Sequence, residues 1–257
     1  MKDAVLALVR VGYVAKAVVY VLVGILAFRV AAGLGGGRIT DPAGAWYEVL
    51  RRPFGETLLF VLAIGLLAYA AWQILGAVLG WRRHARETAL ARALTIVRAS
   101  VYALIGWQGL RLAMGLRAGH TGPEPLVRAA LNWPFGKWMV IAAGLGAAWY
   151  GVVEIRDAIR GHLEPDLEAS TLRSNAGEWA LHVSRIGIVA RAVILVLLGI
   201  GVVRAGLAHR PSAAGGFDAS LLVLNSLPQG SLLLGATAAG LLAYGFYQFL
   251  HARYATL

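Results

Sequence analysis

Hydrophobic residues run along this chain in six long blocks, near residues 11–32, 56–79, 95–116, 137–160, 186–208 and 230–252, separated by shorter polar stretches. About 20 helical residues cross roughly 30 Å of hydrocarbon, so each block predicts one spanning helix. Alanine, glycine and leucine dominate the blocks, and glycine is frequent at their centres. Small residues let helices approach closely in lipid, where the hydrophobic effect does not drive association.

The polar positions inside the blocks are not scattered. The first helix carries Arg10, Lys16, Gly24 and Arg29, the third Arg92, Arg98, Gly106 and Arg111, and the fifth Arg185, Arg191, Gly199 and Arg204. All follow R-x5-[KR]-x7-G-x4-R without a gap. The even helices follow P-x-G-x9-G-x3-Y-x3-[QE]. That pattern takes in Pro53, Gly55, Gly65, Tyr69 and Gln73, then Pro134, Gly136, Gly146, Tyr150 and Glu154, then Pro228, Gly230, Gly240, Tyr244 and Gln248. Two linked patterns recurring three times predict a triplicated helical hairpin. Two helices per unit make the units parallel, not inverted. The expected fold is an all-α integral membrane protein of six transmembrane helices, three parallel hairpins about a pseudo-threefold axis. Repeat one is placed at 1–80, repeat two at 81–161, a polar linker at 162–182 and repeat three at 183–257. The first helix is the equivalent of the third and fifth, so it is expected to be retained and not cleaved as a signal peptide.

A short segment of another kind stands inside each hairpin. In TDPAGAWYEVLRR, Asp41 can cap a helix whose first position is Pro42, with Trp46, Val49 and Leu50 on one face. TGPEPLVRAALNW and FDASLLVLNSL hold the equivalent places, and short helices lying in the interface are expected. GLGGGR before the first lacks a following Lys-Ser/Thr and reads as a surface linker, not a phosphate loop. The polar stretch GHLEPDLEASTLRSNAGEW between repeats two and three reads as a solvated linker before it reads as a partner contact.

Composition sharpens this picture. The 257 residues are 59% hydrophobic and only 14% charged, whereas soluble domains carry roughly 25% charged residues. The net charge of +11 fits cytoplasmic loops and anionic headgroups. No basic run interleaved with aromatics supports nucleic-acid binding. Cysteine is absent, which excludes disulfides and thiolate chemistry. The side holding both termini carries the larger share of the 24 Lys and Arg residues, with the densest cluster, WRRHARE, at 81–87. Both termini are therefore expected in the cytoplasm.

Lys16 raises the functional question. Arg10 and Arg29 stand about 28 Å apart along a helix and can mark the two interfaces, which puts Lys16 about 9 Å inside the cytoplasmic one. Arg98 and Arg191 share its depth. Tyr69 lies about 21 Å from Gly55 and Lys16 about 20 Å from Arg29, so cation and tyrosine should meet at one level. Gly12, Lys16, Tyr20 and Gly24 form one stripe at four-residue spacing, and Gly65, Tyr69 and Gln73 another. Two uses compete. In the structural one, Lys16, Arg98 and Arg191 tie adjacent helices or snorkel to the headgroups. In the other they form a ring that attracts an anion or a lipid phosphate, with Tyr69, Tyr150, Tyr244, Gln73, Glu154 and Gln248 around it. The structural use leads. The ring is imperfect, since Glu154 replaces glutamine and could pair with Arg98, and since Leu195 stands where the other repeats have Tyr20 and Tyr102.

Catalytic patterns are missing. The fourth helix, GKWMVIAAGLGAAWYGVVEIR, has no serine, and no G-x-S-x-G occurs. The histidines (84, 120, 162, 182, 209 and 251) lie in loops and helix ends without metal-ligand spacing. His251 reads as exposed at the interface, and Arg156–Asp157 as a surface pair. No enzyme activity, metal or cofactor is expected.

RVGYVAKAVVYVLVG, D-P-A-G-A-W, and PFG followed by G-L-L-A-Y together resemble the bacterial membrane proteins grouped as domain of unknown function 1206. The resemblance covers nearly the whole chain. Repeat two departs from it at Leu94-Thr95, and repeat three at Pro228-Gln229-Gly230. It implies three copies of a two-helix unit in a bacterial cytoplasmic membrane and carries no activity. The expected function is a structural or lipid-headgroup-binding membrane protein with membrane lipids as partners. The alternative is a small channel or transporter for an anion or proton.

Overall fold

The computed structural model describes residues 2–34, 39–41, 44–79, 89–116, 122–160 and 177–254. Six long helices occupy the six apolar blocks: α1 (Lys2–Ala31), α3 (Gly55–Leu79), α4 (Ala89–Ala113), α6 (Gly136–Arg160), α7 (Gly177–Ala208) and α9 (Gly230–Tyr254). The short helices α2 (Ala45–Leu50), α5 (Glu124–Leu131) and α8 (Phe217–Ser226) fall where interfacial segments were expected. A 3-10 turn, Pro211–Ala214, precedes α8. Among the described residues there is no strand. All the long helices except α4 are long and apolar enough to cross a membrane. In α4 the residues Arg92, Thr95, Arg98, Ser100, Gln108 and Arg111 dilute the apolar run. The chain is thus a helical protein with several candidate spans, as a multi-pass membrane protein requires.

Two boundaries move. Helix α4 starts six residues before the apolar block and α7 nine before it, so Gly177–His182, read from sequence as linker, is helical. Helix propensity does not stop at the hydrocarbon edge, whereas an apolar block does. Pro42, residues 35–38 of GLGGGR, the WRRHARE cluster and residues 161–176 lie outside the described residues. Asp41 does act at the start of α2. Its Oδ1 accepts from the Gly44 N–H at 2.6 Å and its carbonyl from Ala45 N–H at 3.1 Å.

The odd helices end alike. Leu34 N–H donates to Arg29 O, Leu116 N–H to Arg111 O and Arg210 N–H to Ala205 O, each closing a six-residue reverse turn. The turn needs one residue at positive φ, supplied by Gly33 (65°), Gly115 (75°) and His209 (52°). Histidine pays a Cβ penalty there that glycine avoids. His209→Gly should therefore raise stability by about 1 kcal/mol, read as a higher unfolding midpoint in detergent.

The chain divides into two compact units. The first comprises Met1–Val19, Trp46–Gly119 and Gln248–Leu257, and the second Tyr20–Ala45 and His120–Tyr247. In the first, Tyr13, Trp46, Leu59, Leu62, Leu66, Tyr69 and Tyr102 are buried. Trp46 is 1% exposed, and its Nε1 donates to Ile105 O of α4 at 3.0 Å. Trp46→Phe keeps most of the packing and leaves that carbonyl to find another donor, so a loss of about 1 kcal/mol is expected in chemical unfolding. In the second unit, Val127 and Leu131 of α5 pack with Val140, Val202, Ala205 and Ala214. Trp46, Val127 and Leu221 hold equivalent places in the short helices, and all three are buried.

Glycines set the helix contacts. A methyl on Gly24 would stand 3.0 Å from Ala238 O, on Gly106 3.2 Å from Ala63 O, and on Gly199 2.6 Å from Gly144 O. These are one contact made three times, an odd helix against an even helix of the preceding repeat, taken cyclically. The outer faces are apolar. Ile25, Phe28, Phe60, Val61 and Ile64 are exposed, as are Trp138 and Trp149 of α6. Large apolar side chains exposed in this number in each unit are costly in water and suited to lipid.

Candidate functional site

The first unit holds a buried ammonium. Lys16 is 6% exposed. Its Nζ lies 4.7 Å from the centroid of the Tyr102 ring and 5.7 Å from that of Tyr69, so ring faces of two other helices receive it. Local sequence explains the approach. A methyl on Gly12, one turn before Lys16, would collide with Tyr69 Cβ and stand 2.7 Å from Gly65 O. Only a glycine lets α1 settle onto the Gly65–Tyr69–Gln73 stripe. Gln73 Nε2 donates to Tyr69 Oη at 2.7 Å, fixing the ring. Tyr13 meets Tyr69 edge-on at 4.9 Å and stacks on His251 at 5.2 Å. Tyr69 and Tyr102 meet edge-on at 5.7 Å. Arg98, on α4, is half-buried. Gln248, on α9, is 2% exposed, and its Oε1 is buried without a hydrogen-bond partner among the described residues.

The second unit holds the related arrangement. Arg191 of α7 lies 5.2 Å from the Tyr244 ring centroid, the equivalent of Lys16 over Tyr69. Gly187 precedes it as Gly12 precedes Lys16, and a methyl there would stand 2.6 Å from Tyr244 Cα. Tyr20 meets Tyr244 edge-on at 4.7 Å, as Tyr102 meets Tyr69. Arg191 Nη2 also forms an ion pair with Glu154 Oε1. The Tyr150 hydroxyl donates to the same oxygen at 2.8 Å. Glu154 Oε2 is buried with no hydrogen-bond partner among the described residues.

Two expectations are corrected. Glu154 pairs with Arg191, not Arg98. Sequence depth places both arginines at one level, but it does not say which helix is the neighbour. Helix α6 packs on α7 through Gly144, Gly151 and Gly199, which delivers Glu154 to the cation of the following repeat. His251 is buried at 8%, not exposed, because the Tyr13 ring covers it. Tyr13 stands three residues before Lys16 on the same face, and that spacing was the available signal. The Arg156–Asp157 pair is a surface contact at 3.1 Å. Lys16 and Arg98 belong to the first unit and Arg191 to the second.

The arrangement suits electrostatic and packing roles. Lys16 lies over two tyrosine rings and Arg191 over one, and Arg191 meets a carboxylate as well. Polar groups inside a membrane normally face the bundle and find such partners.

The sequence model of the family described as Domain of Unknown Function (DUF1206) matches residues 11–80, 95–161 and 186–255. The "Uncharacterized protein YxxB" of Bacillus subtilis (strain 168) is similar at 32% identity over 247 residues, covering 95% of this chain and 89% of that protein. No solved structure matches. Three matched segments, one on each pair of apolar blocks, place this chain in the DUF1206 family.

Proposed function

We propose that this chain is a six-span protein of the bacterial cytoplasmic membrane, without enzymatic activity, in which Lys16, Arg98 and Arg191 tie helices inside the bundle. Three parallel hairpins stand about a pseudo-threefold axis, with both termini in the cytoplasm. The observation that carries this reading is the burial of Lys16 under two tyrosine rings, with Arg191 neutralised by Glu154. The threefold arrangement is supported by the equivalent contacts at Gly24, Gly106 and Gly199. Exposed arginines at the helix ends, Arg52 and Arg204 among them, lie where anionic headgroups would be met. The protein is accordingly a packed scaffold that binds anionic lipid at its rims.

Reconstitution tests this. Purified protein should retain anionic phospholipid in native mass spectrometry, and proteoliposomes should pass chloride and protons no faster than empty liposomes. Flux above that background would replace the scaffold reading with transport through the cations.

A further inference from the structure

Helix α6 is the least covered of the candidate spans. Of its most apolar stretch, 17% is buried by the rest of the chain, against 33–61% for the others. Trp138, Ala142, Leu145, Trp149, Val152 and Arg156 are all exposed and follow one another at intervals of four and three. That spacing draws one stripe along the helix, the kind of seam along which two helices pack.

The other repeats carry an ordinary lipid face here. Where α6 has Trp149 and Arg156, α3 has Ala68 and Leu75, and α9 has Ala243 and Leu250. Trp149 is 70% exposed and lies about 20 Å along α6 from Gly136, near the middle of the membrane. Tryptophan favours the headgroup level, and at mid-depth acyl chains offer its indole N–H no acceptor. Arg156 brings a charge to the same face. Its guanidinium meets Asp157, the next residue, at 3.1 Å, yet the two side chains stay 55% and 40% exposed. Adjacent residues do not face each other on a helix, so both charges remain open to a partner outside the chain.

We propose that this stripe is the contact between two copies of the chain, side by side about a twofold axis along the membrane normal. Copies of one membrane protein enter the bilayer the same way up, so each residue meets its own equivalent at one depth. The stripe is self-complementary in that arrangement. Arg156 of one copy reaches Asp157 of the other, and the reverse, which makes two ion pairs from a face holding one charge of each sign. Ala142 lets the backbones approach, and Trp149 packs on the opposing helix. Lipid alone fits the stripe less well. Acyl chains cannot serve the indole, and an anionic headgroup drawn by Arg156 is repelled by Asp157.

The proposal rests on the reading of α6 as a membrane span, and the two fail differently. Labelling of a cysteine at 145 by a membrane-impermeant thiol reagent would remove that reading. Unlabelled cysteines that give no cross-link would remove the dimer alone.

Oxidative cross-linking in proteoliposomes that hold only this chain tests it, because the chain has no cysteine of its own. Single cysteines at 142 and 145 should yield covalent dimer. Cysteines at 61 and 64, the equivalent exposed positions of α3, should not. In the Ala142→Cys chain, Trp149→Ala should raise the protein density needed for half-maximal cross-linking by about tenfold or more. Arg156→Asp in that chain sets like charges across the axis and should lower the yield, and adding Asp157→Arg should restore it. Positions 142, 145, 149 and 156 are exposed in the single chain, so these variants keep their fold. The proposal is overturned by an absence of dimer, or by equal cross-linking at 61 and 142. It is also overturned if Trp149→Ala and Arg156→Asp leave the yield unchanged, since lipid or another surface then accounts for the stripe.

Discussion

Glu154→Ala will lower the stability of this protein by about 3–5 kcal/mol, read as a fall in the unfolding midpoint in detergent. The Arg191 and Glu154 side chains are only 11% and 15% exposed. Removing the carboxylate strands a guanidinium in a region of low dielectric and takes the acceptor from the Tyr150 hydroxyl. The size of the effect comes from the stranded charge, not from the worth of the pair. A double replacement, Glu154→Met with Arg191→Met, removes both charges and should lie close to the parent. If single and double variants lose equally, the loss is one of packing and the ion pair is incidental.

The second large effect is steric. Gly187→Val should cost at least 3 kcal/mol, because its Cβ would collide with the backbone N of Tyr244 and stand 2.6 Å from Tyr244 Cα, and backbone cannot step aside as a flexible side chain can. Gly12→Val should behave alike against Tyr69 Cβ and Gly65 O. Both substitutions also push the tyrosine ring off its cation. Gly146→Ala provides the contrast. It shares the motif position of Gly65 and Gly240, yet nothing stands within 4 Å of a methyl placed there. Its replacement should be neutral or stabilising by up to about 1 kcal/mol through helix propensity. Chemical unfolding of the three variants beside the parent checks the set, and a destabilising Gly146→Ala would contradict it.

Much of this was legible before any coordinates. Hydropathy places six long helices because a helix in lipid has to be apolar all round, and the two gapless patterns expose the triplication. The meeting of Lys16 with Tyr69 followed from counting residues inward from each interface, since rise per residue is constant. Neighbours were not legible in the same way. Depth is a one-dimensional quantity, so it could not choose between Arg98 and Arg191 for Glu154. The choice is made by where Gly144, Gly151 and Gly199 let α6 and α7 close together. His251 was misplaced for a related reason: a residue near a helix end is exposed only if no other helix covers it, and Tyr13 does. Gly146 teaches the converse, because the motif places a small residue there and the structure leaves it uncovered. A repeat transmits residues faithfully whether or not each copy still uses them.

The absence of cysteine from the chain permits the most direct test of the buried cation ties. Single cysteines at positions 16, 98 and 191 would be exposed to a membrane-impermeant thiol reagent in intact and in inverted vesicles. The account predicts no labelling at 16 or 191 from either side before unfolding, and full labelling after it. Rapid labelling of the native protein at all three positions would mean water around the cations, and the helix-tie account would be wrong.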